Sequence, residues 1–260
     1  MSWWSDLLER WTRRDRIPAR PSTSNGSSSF HAWWEAPRSP VVVASVDLEV
    51  LVEPTVNDLY FWALQANFSD ERGARHGGAH IGLQWNRRHP GNRAVNWGGY
   101  RDAGNVTSIL AGTSSPLPSE PRDPNTRDFP WSTGERYRLR VARGRDGWRG
   151  SIIRTDSGVE HVIRELHADG DRLTSLVVWS EVFAPCRAPS AVVRWSSPRC
   201  ELADGSVFEP SWVRLTFPAA GCPNTDTEVD EYGIVQRSGV TRRAREGDRL
   251  PLPTAPPRRV

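Results

Sequence analysis

The sequence contains no lysine; all 34 of its basic residues are arginine. A GC-rich coding bias explains this as readily as chemistry does. Read as chemistry, arginine at every basic position would favour bidentate phosphate recognition. The charge is not placed for that. Residues 1–20 carry five Arg against three acids and residues 241–260 carry six against two, so the net +3 belongs to the ends and residues 21–240 hold −3. A nucleic-acid-binding domain carries its basic face on the folded part, so no nucleic-acid partner is expected. The basic ends read as solvated segments with weak, salt-sensitive attraction for anions.

Cysteine is scarce: Cys186, Cys200 and Cys222. An odd number without a CxxC spacing argues against a zinc framework and leaves either one disulfide or three reduced thiols. No apolar run approaches the ~20 residues a membrane helix needs; the longest, Val41–Val46, is interrupted by Ser45. The first 20 residues are charged every few positions and have no apolar leader core. A cytoplasmic protein is the expectation. Neither a Ser/His/Asp order, nor a GxSxG turn, nor a phosphate-binding glycine loop after a strand stands out.

Tryptophan, by contrast, is abundant: 13 Trp and 7 Phe offer large apolar surfaces to bury, which excludes disorder throughout. Residues 1–16 read as a short amphipathic helix, with Trp3, Leu7 and Trp11 four apart and Trp4 and Leu8 beside them. Residues 2–14 would pack on their own domain or a protein partner. Alternatively, with Arg10, Arg13 and Arg14 flanking the stripe, they would lie on a membrane surface. Residues 17–29 form a polar Pro/Ser/Gly linker. The body spans 30–239, and the Arg/Pro-rich stretch 240–260 is expected to be disordered.

Inside the body, strand signals alternate with turn signals. Strands are expected at 41–53, 59–68, 79–85, 93–97, 136–142, 148–154, 159–166, 173–183, 191–195, 212–217 and 232–236. Turns fall at 72–78, at the Pro90-Gly91 pair, and at the RGRDG and DSG stretches. A long loop runs over 112–130, where five prolines exclude a regular element. Many short strands without a helical period predict an all-β fold, a two-sheet antiparallel β-sandwich of concanavalin-like or jelly-roll type.

Alternation separates the faces of each strand. Tyr60, Trp62, Leu64 and Phe68 point one way; Gln65 and Asn67 point the other, with Phe61 and Ala63. Ile81, Leu83 and Trp85 oppose His80, Gly82, Gln84 and Asn86, while Val95 and Trp97 oppose Asn96 and Gly98. Neighbouring strands would gather Gln65, Asn67, His80, Gln84 and Asn96 beside the small Gly82 and Gly98. Amides donate and accept hydrogen bonds, as sugar hydroxyls require, and glycine lets a ligand approach the backbone. A polar groove for a glycan is one expectation; the ordinary solvent face of a half-buried sheet is the other. Most tryptophans alternate with the core set; Trp131 and Trp148, next to loops, are the better candidates for exposure.

Glu181 is a carboxylate in a strand among large apolar residues. It is a candidate acid/base for a carbohydrate hydrolase, or simply the partner of an arginine. Asn224, Asp226, Glu228 and Asp230 fall on one face if extended and could gather around calcium; an acidic edge strand that resists aggregation is the alternative. No other cofactor is implied. Sandwich glucanases of the concanavalin-like superfamily carry an E-x-D-x-x-E pattern. Here Glu228 and Asp230 match it but the third acid falls on Gly233, so that activity is not carried over. His76 and His80 are separated by Gly77-Gly78 and make a poor metal pair.

The runs GGAHIGLQWN (77–86), RAVNWGGY (93–100) and SLVVWSEVF (175–183) resemble the bacterial sandwich family called domain of unknown function 3472. The resemblance spans about residues 40–240. It implies a sandwich fold and brings no catalytic residue. The sequence thus supports a binding module with a glycan as ligand. Its alternatives are a hydrolase using Glu181 and a scaffold attached through residues 2–14.

Overall fold

The computed structural model describes residues 18–101, 108–118 and 123–253. The helix expected over 1–16 lies outside them. Among the described residues the chain is all-β and antiparallel, with no α-helix and one 3-10 turn at Pro90–Asn92. That turn is the expected Pro-Gly signal, with Gly91 and Asn92 at positive φ.

The strands in chain order are β1 (Ser28–Trp34), β2 (Val41–Val52), β3 (Tyr60–Ser69), β4 (Arg75–Trp85), β5 (Arg93–Tyr100), β6 (Thr126–Asp128), β7 (Arg136–Arg143) and β8 (Trp148–Arg154). They continue as β9 (Glu160–Leu166), β10 (Arg172–Val182), β11 (Val192–Leu202), β12 (Val207–Phe208), β13 (Trp212–Thr216), β14 (Thr225–Asp230), β15 (Gly233–Ser238) and β16 (Arg249–Pro251). Pairing links them all, fifteen in two runs and β12 on the side of β11. One runs β14-β15-β11-β2-β7-β8-β9. The other runs β16-β13-β1-β10-β3-β4-β5-β6. A single pair, Leu173 with Val41, joins β10 to β2 between them.

Both runs feed one core. Trp62, Leu64, Phe68, Ile81, Leu83 and Trp97 of the second run bury with Leu48, Leu139, Val141, Trp148 and Trp195 of the first. The Phe68 ring stacks on Trp148 at 5.2 Å, and Trp97 Nε1 donates to the Trp148 carbonyl at 3.3 Å. Gly150 on β8 has to be glycine, because a Cβ there would lie 2.5 Å from the Trp97 ring. Alternation holds along β3, β4 and β5. On β10 it breaks at Ser175, where a bulge lets Leu173, Leu176 and Val178 all reach the core.

Three expectations are corrected here. Trp131 and Trp148 are buried, not exposed, at 1% and 0%. The Trp131 indole closes over Trp62 and donates to the Gln84 carbonyl. Residues 240–253 are ordered. β16 pairs with β13, Arg242 donates to the carbonyls of Thr225 and Cys222, and its guanidinium lies 4.1 Å from the Phe217 ring centre. Pro and Arg content hid them because the segment is held by polar contacts and edge pairing, not by an apolar stripe. The linker 17–29 likewise gives way to β1 at Ser28, with Ser27 and Ser28 buried.

Of the alternatives left open for cysteine, Cys186 and Cys222 form a disulfide with Cα atoms 5.4 Å apart, and Cys200 is a buried free thiol. Burial pushes that thiol up to about 12. No helix of the described residues is long and apolar enough to cross a membrane.

Candidate functional site

Register brings residues distant in sequence into rows across the second run, on the side facing away from the core. One row reads Ser29, Glu181, Phe61, Gln84. The next reads His31, Trp179, Ala63, Gly82, Asn96, Thr126. A third reads Trp33, Val177, Gln65, His80, Gly98. Directly opposed residues share a face, and these rows border a groove of about 610 Å³.

The groove contains most of what the sequence singled out. Gln65, His80, Gln84 and Asn96 line it, as does Glu181. Asn67 does not. It sits one row further on, where its Oδ1 is buried without a hydrogen-bond partner beside Gly78. The expectation that Gly82 and Gly98 leave room for a ligand is also corrected. A Cβ on Gly82 would meet the Trp62 carbonyl at 1.9 Å, and one on Gly98 would meet the Asn125 side chain at 2.8 Å. These glycines admit a close strand and a neighbouring side chain.

The floor is aromatic, which the expected solvent face would not be. Phe61, Ala63, Val177 and Trp179 form a buried cluster of their own, with Trp33 packed against it. The rings of Phe61, Trp179 and His80 meet edge to face at 5.0–5.7 Å, and Tyr100 lies 6.2 Å from His80. Burial in this setting lowers the His80 imidazole to about 4, so it is neutral at pH 7. His31 is lowered as well, chiefly by burial, against the opposing effects of its hydrogen bond with the Thr216 backbone and of Glu246.

Three amides of this floor are held from behind, while Asn96 Oδ1 is buried without a partner among the described residues. Trp179 Nε1 donates to Gln65 Oε1 at 3.1 Å. Asn86 Nδ2 donates to Gln84 Oε1 at 2.9 Å, and Asn96 Nδ2 to Thr126 Oγ1 at 2.9 Å. Glu181 has no arginine partner among the described residues. Its Oε1 accepts from Asn25 Nδ2 (2.8 Å), Ser27 Oγ (2.8 Å) and Ser29 Oγ (3.2 Å).

Sequence reasoning missed the two flanks. Asn25 and Ser29 come from the stretch read as linker; Asp123, Asn125 and Thr126, from the stretch read as a proline-rich loop, contribute to the groove's rim. The one available signal was the loop's length. Asn125 is placed by Arg164, a residue only 4% exposed, whose guanidinium donates to Asn125 Oδ1 (3.0 Å) and to the Pro124 carbonyl (2.9 Å).

The proposed calcium residues are already engaged. Asp226 accepts from the N–H groups of Arg243 and Ala244, Glu228 pairs with Arg237 and Arg243, and Asp230 pairs with Arg194 at 2.8 Å. The Asn224 amide donates to the Cys186 carbonyl. Among the described residues no group of three or more His, Cys, Asp or Glu is arranged around a metal position.

No family model matches the chain, and no curated relative does. Among solved structures it is similar to SCP-B, a member of the eqolisin family of peptidases in complex with the tripeptide Ala-Ile-His. The TM-score is 0.47 and the identity 10%, over 82% of this chain and 98% of that one. Scytalido-glutamic peptidase with a peptide-based transition-state analogue matches at TM-score 0.45 and 10% identity, with the same coverage. The carbohydrate-binding module CBM66 from Bacillus subtilis matches at TM-score 0.33 and 10% identity, over 65% of this chain and 95% of that one. All three lie below a TM-score of 0.5, and no activity is carried over from them.

Proposed function

We propose that the chain is a two-layer β-sandwich of the concanavalin-like type whose groove binds a glycan. One observation carries this: Gln65, Gln84, Asn96 and His80 converge on a groove floored by Phe61 and Trp179. Amides satisfy hydroxyls that both donate and accept, and aromatic side chains suit the apolar face of a sugar ring. Residues whose rotamers are locked by such contacts bind without further ordering cost.

A hydrolase using Glu181 is the second reading, because Glu181 does line the groove. Two-carboxylate hydrolysis would have to draw its partner from Asp123. That side chain serves its own turn, accepting the N–H groups of Asn125 and Thr126 on Oδ1. Binding is therefore the reading preferred. The same view puts the chain in an oxidising compartment, where a bridge such as Cys186–Cys222 persists, rather than in the cytoplasm. Attachment through residues 2–14 lies outside the described residues.

Screening the chain against a polysaccharide panel tests this, with two variants. Gln84→Ala removes one neutral hydrogen bond, about 0.5–1.5 kcal/mol, and should weaken binding by up to roughly tenfold while the fold persists. Trp85→Ala, in the core and bonded through Nε1 to the Val56 carbonyl, should instead cost about 3–5 kcal/mol of stability. Absence of binding to every member of the panel would refute the proposal.

A further inference from the structure

The amides in the groove are not free to present either end. Oxygen and nitrogen of an Asn or Gln side chain are interchangeable unless a partner decides between them. At two positions the partner decides by its chemistry. The indole Nε1 of Trp179 and the guanidinium of Arg164 can only donate. The atoms they hold must therefore be Gln65 Oε1 and Asn125 Oδ1. Gln65 Nε2 and Asn125 Nδ2 are left on the groove lining, with no partner among the described residues.

These two donors belong to one row. Gln65 is opposite His80, His80 is opposite Gly98, and the Asn125 side chain rests against Gly98 where a Cβ would be. Two N–H₂ groups thus stand on either side of the neutral His80 imidazole, whose nitrogens make no hydrogen bond among the described residues. Arg75, the first residue of β4, and Arg88, just past its end, are exposed, in no ion pair among the described residues, and line the groove. At ~3.3 Å per residue, the strand between them is about 33 Å long. The two acids on the lining stand outside the row, with Glu181 Oε1 and Asp123 Oδ1 already filled by donors.

We infer that the Gln65–His80–Asn125 row is a carboxylate subsite, so that the glycan taken by the groove is an acidic, uronate-bearing one. This rests on the glycan reading above and narrows it. Two fixed N–H₂ donors with the N–H of a neutral imidazole between them favour a carboxylate over its ester, because hydrogen bonds to a charged acceptor are the stronger ones.

The test is calorimetric titration of the full chain with polygalacturonate and with its methyl ester, repeated at low and high salt. A neutral polymer from the panel runs in parallel. The acid should bind at least about tenfold more tightly than the ester, the ratio of one hydrogen bond to a charged group. Gln65→Glu and Asn125→Asp keep an oxygen for Trp179 and Arg164 and so retain the fold, but they point a carboxylate into the subsite. Each should abolish the preference. Equal binding of acid and ester overturns the carboxylate subsite and leaves the glycan reading standing. A preference that survives both variants and disappears with salt reduces it to general attraction to arginine, and also overturns it. Failure of polygalacturonate to bind overturns the carboxylate subsite, and absence of binding across the whole panel overturns both readings.

Discussion

Gly150→Ala adds one methyl group where β8 of one strand run packs against Trp97 of the other. The new Cβ would lie 2.5–2.8 Å from three atoms of the Trp97 indole, against a favourable carbon separation of about 3.5–4.0 Å. The ring has nowhere to go. It is fully buried, meets Phe68 at 6.4 Å and is tethered through Nε1 to the Trp148 carbonyl. Overpacking of this kind costs about 1–3 kcal/mol. In a domain of this size each kcal/mol shifts Tm by about 2–4 °C. Equilibrium urea unfolding gives the cost directly. Trp97→Phe, which shrinks the ring, should destabilise alone and yet reduce the cost of Gly150→Ala, giving a coupling of opposite sign in the double-mutant cycle. Glycan affinity should be unchanged, since Trp97 faces the core. A neutral Gly150→Ala, or purely additive costs, would show that β8 and β5 do not face each other.

Truncation before Val240 should lower Tm by several degrees, because it removes β16 and the Arg242 contacts; an unchanged melting curve would return the segment to the status of a free tail. Reducing the Cys186–Cys222 bridge, which spans 36 residues, should cost about 3–4 kcal/mol by loop-closure entropy; identical urea midpoints with and without reductant would contradict this. Stability should fall as pH drops from about 6.5 to about 4. The unfolded chain takes up protons at His80 and His31 over that range, while the folded chain holds both imidazoles neutral. His80→Gln should flatten that loss, and an unaltered slope would refute the assignment to His80.

The faces of β3, β4 and β5 were legible because alternation is a property of the strand itself. Leu83 and Trp85 fell in the core and Gln84 outside it, as the pattern required. Glu181 was legible as an isolated carboxylate on a strand, but its partners were not. Asn25, Ser27 and Ser29 reach it across more than 150 residues of sequence. The aromatic floor was half visible: Phe61 and Ala63 were placed on the amide face, yet they are only a floor once β10 brings Trp179 alongside. Trp131 misled because a loop position says nothing about burial when the loop itself covers the core edge. Asn125 could not have been found, since its orientation depends on Arg164 from the other strand run.

The most direct test of a ligand-binding groove on β3, β4 and β10 is an NMR titration with whichever oligosaccharide the panel selects. The account predicts that the largest shift changes fall on the Trp179 indole N–H, the His80 imidazole and the side-chain amides of Gln65, Gln84 and Asn125. Shift changes confined to β11, β2 and β7, with those resonances unmoved, would contradict it.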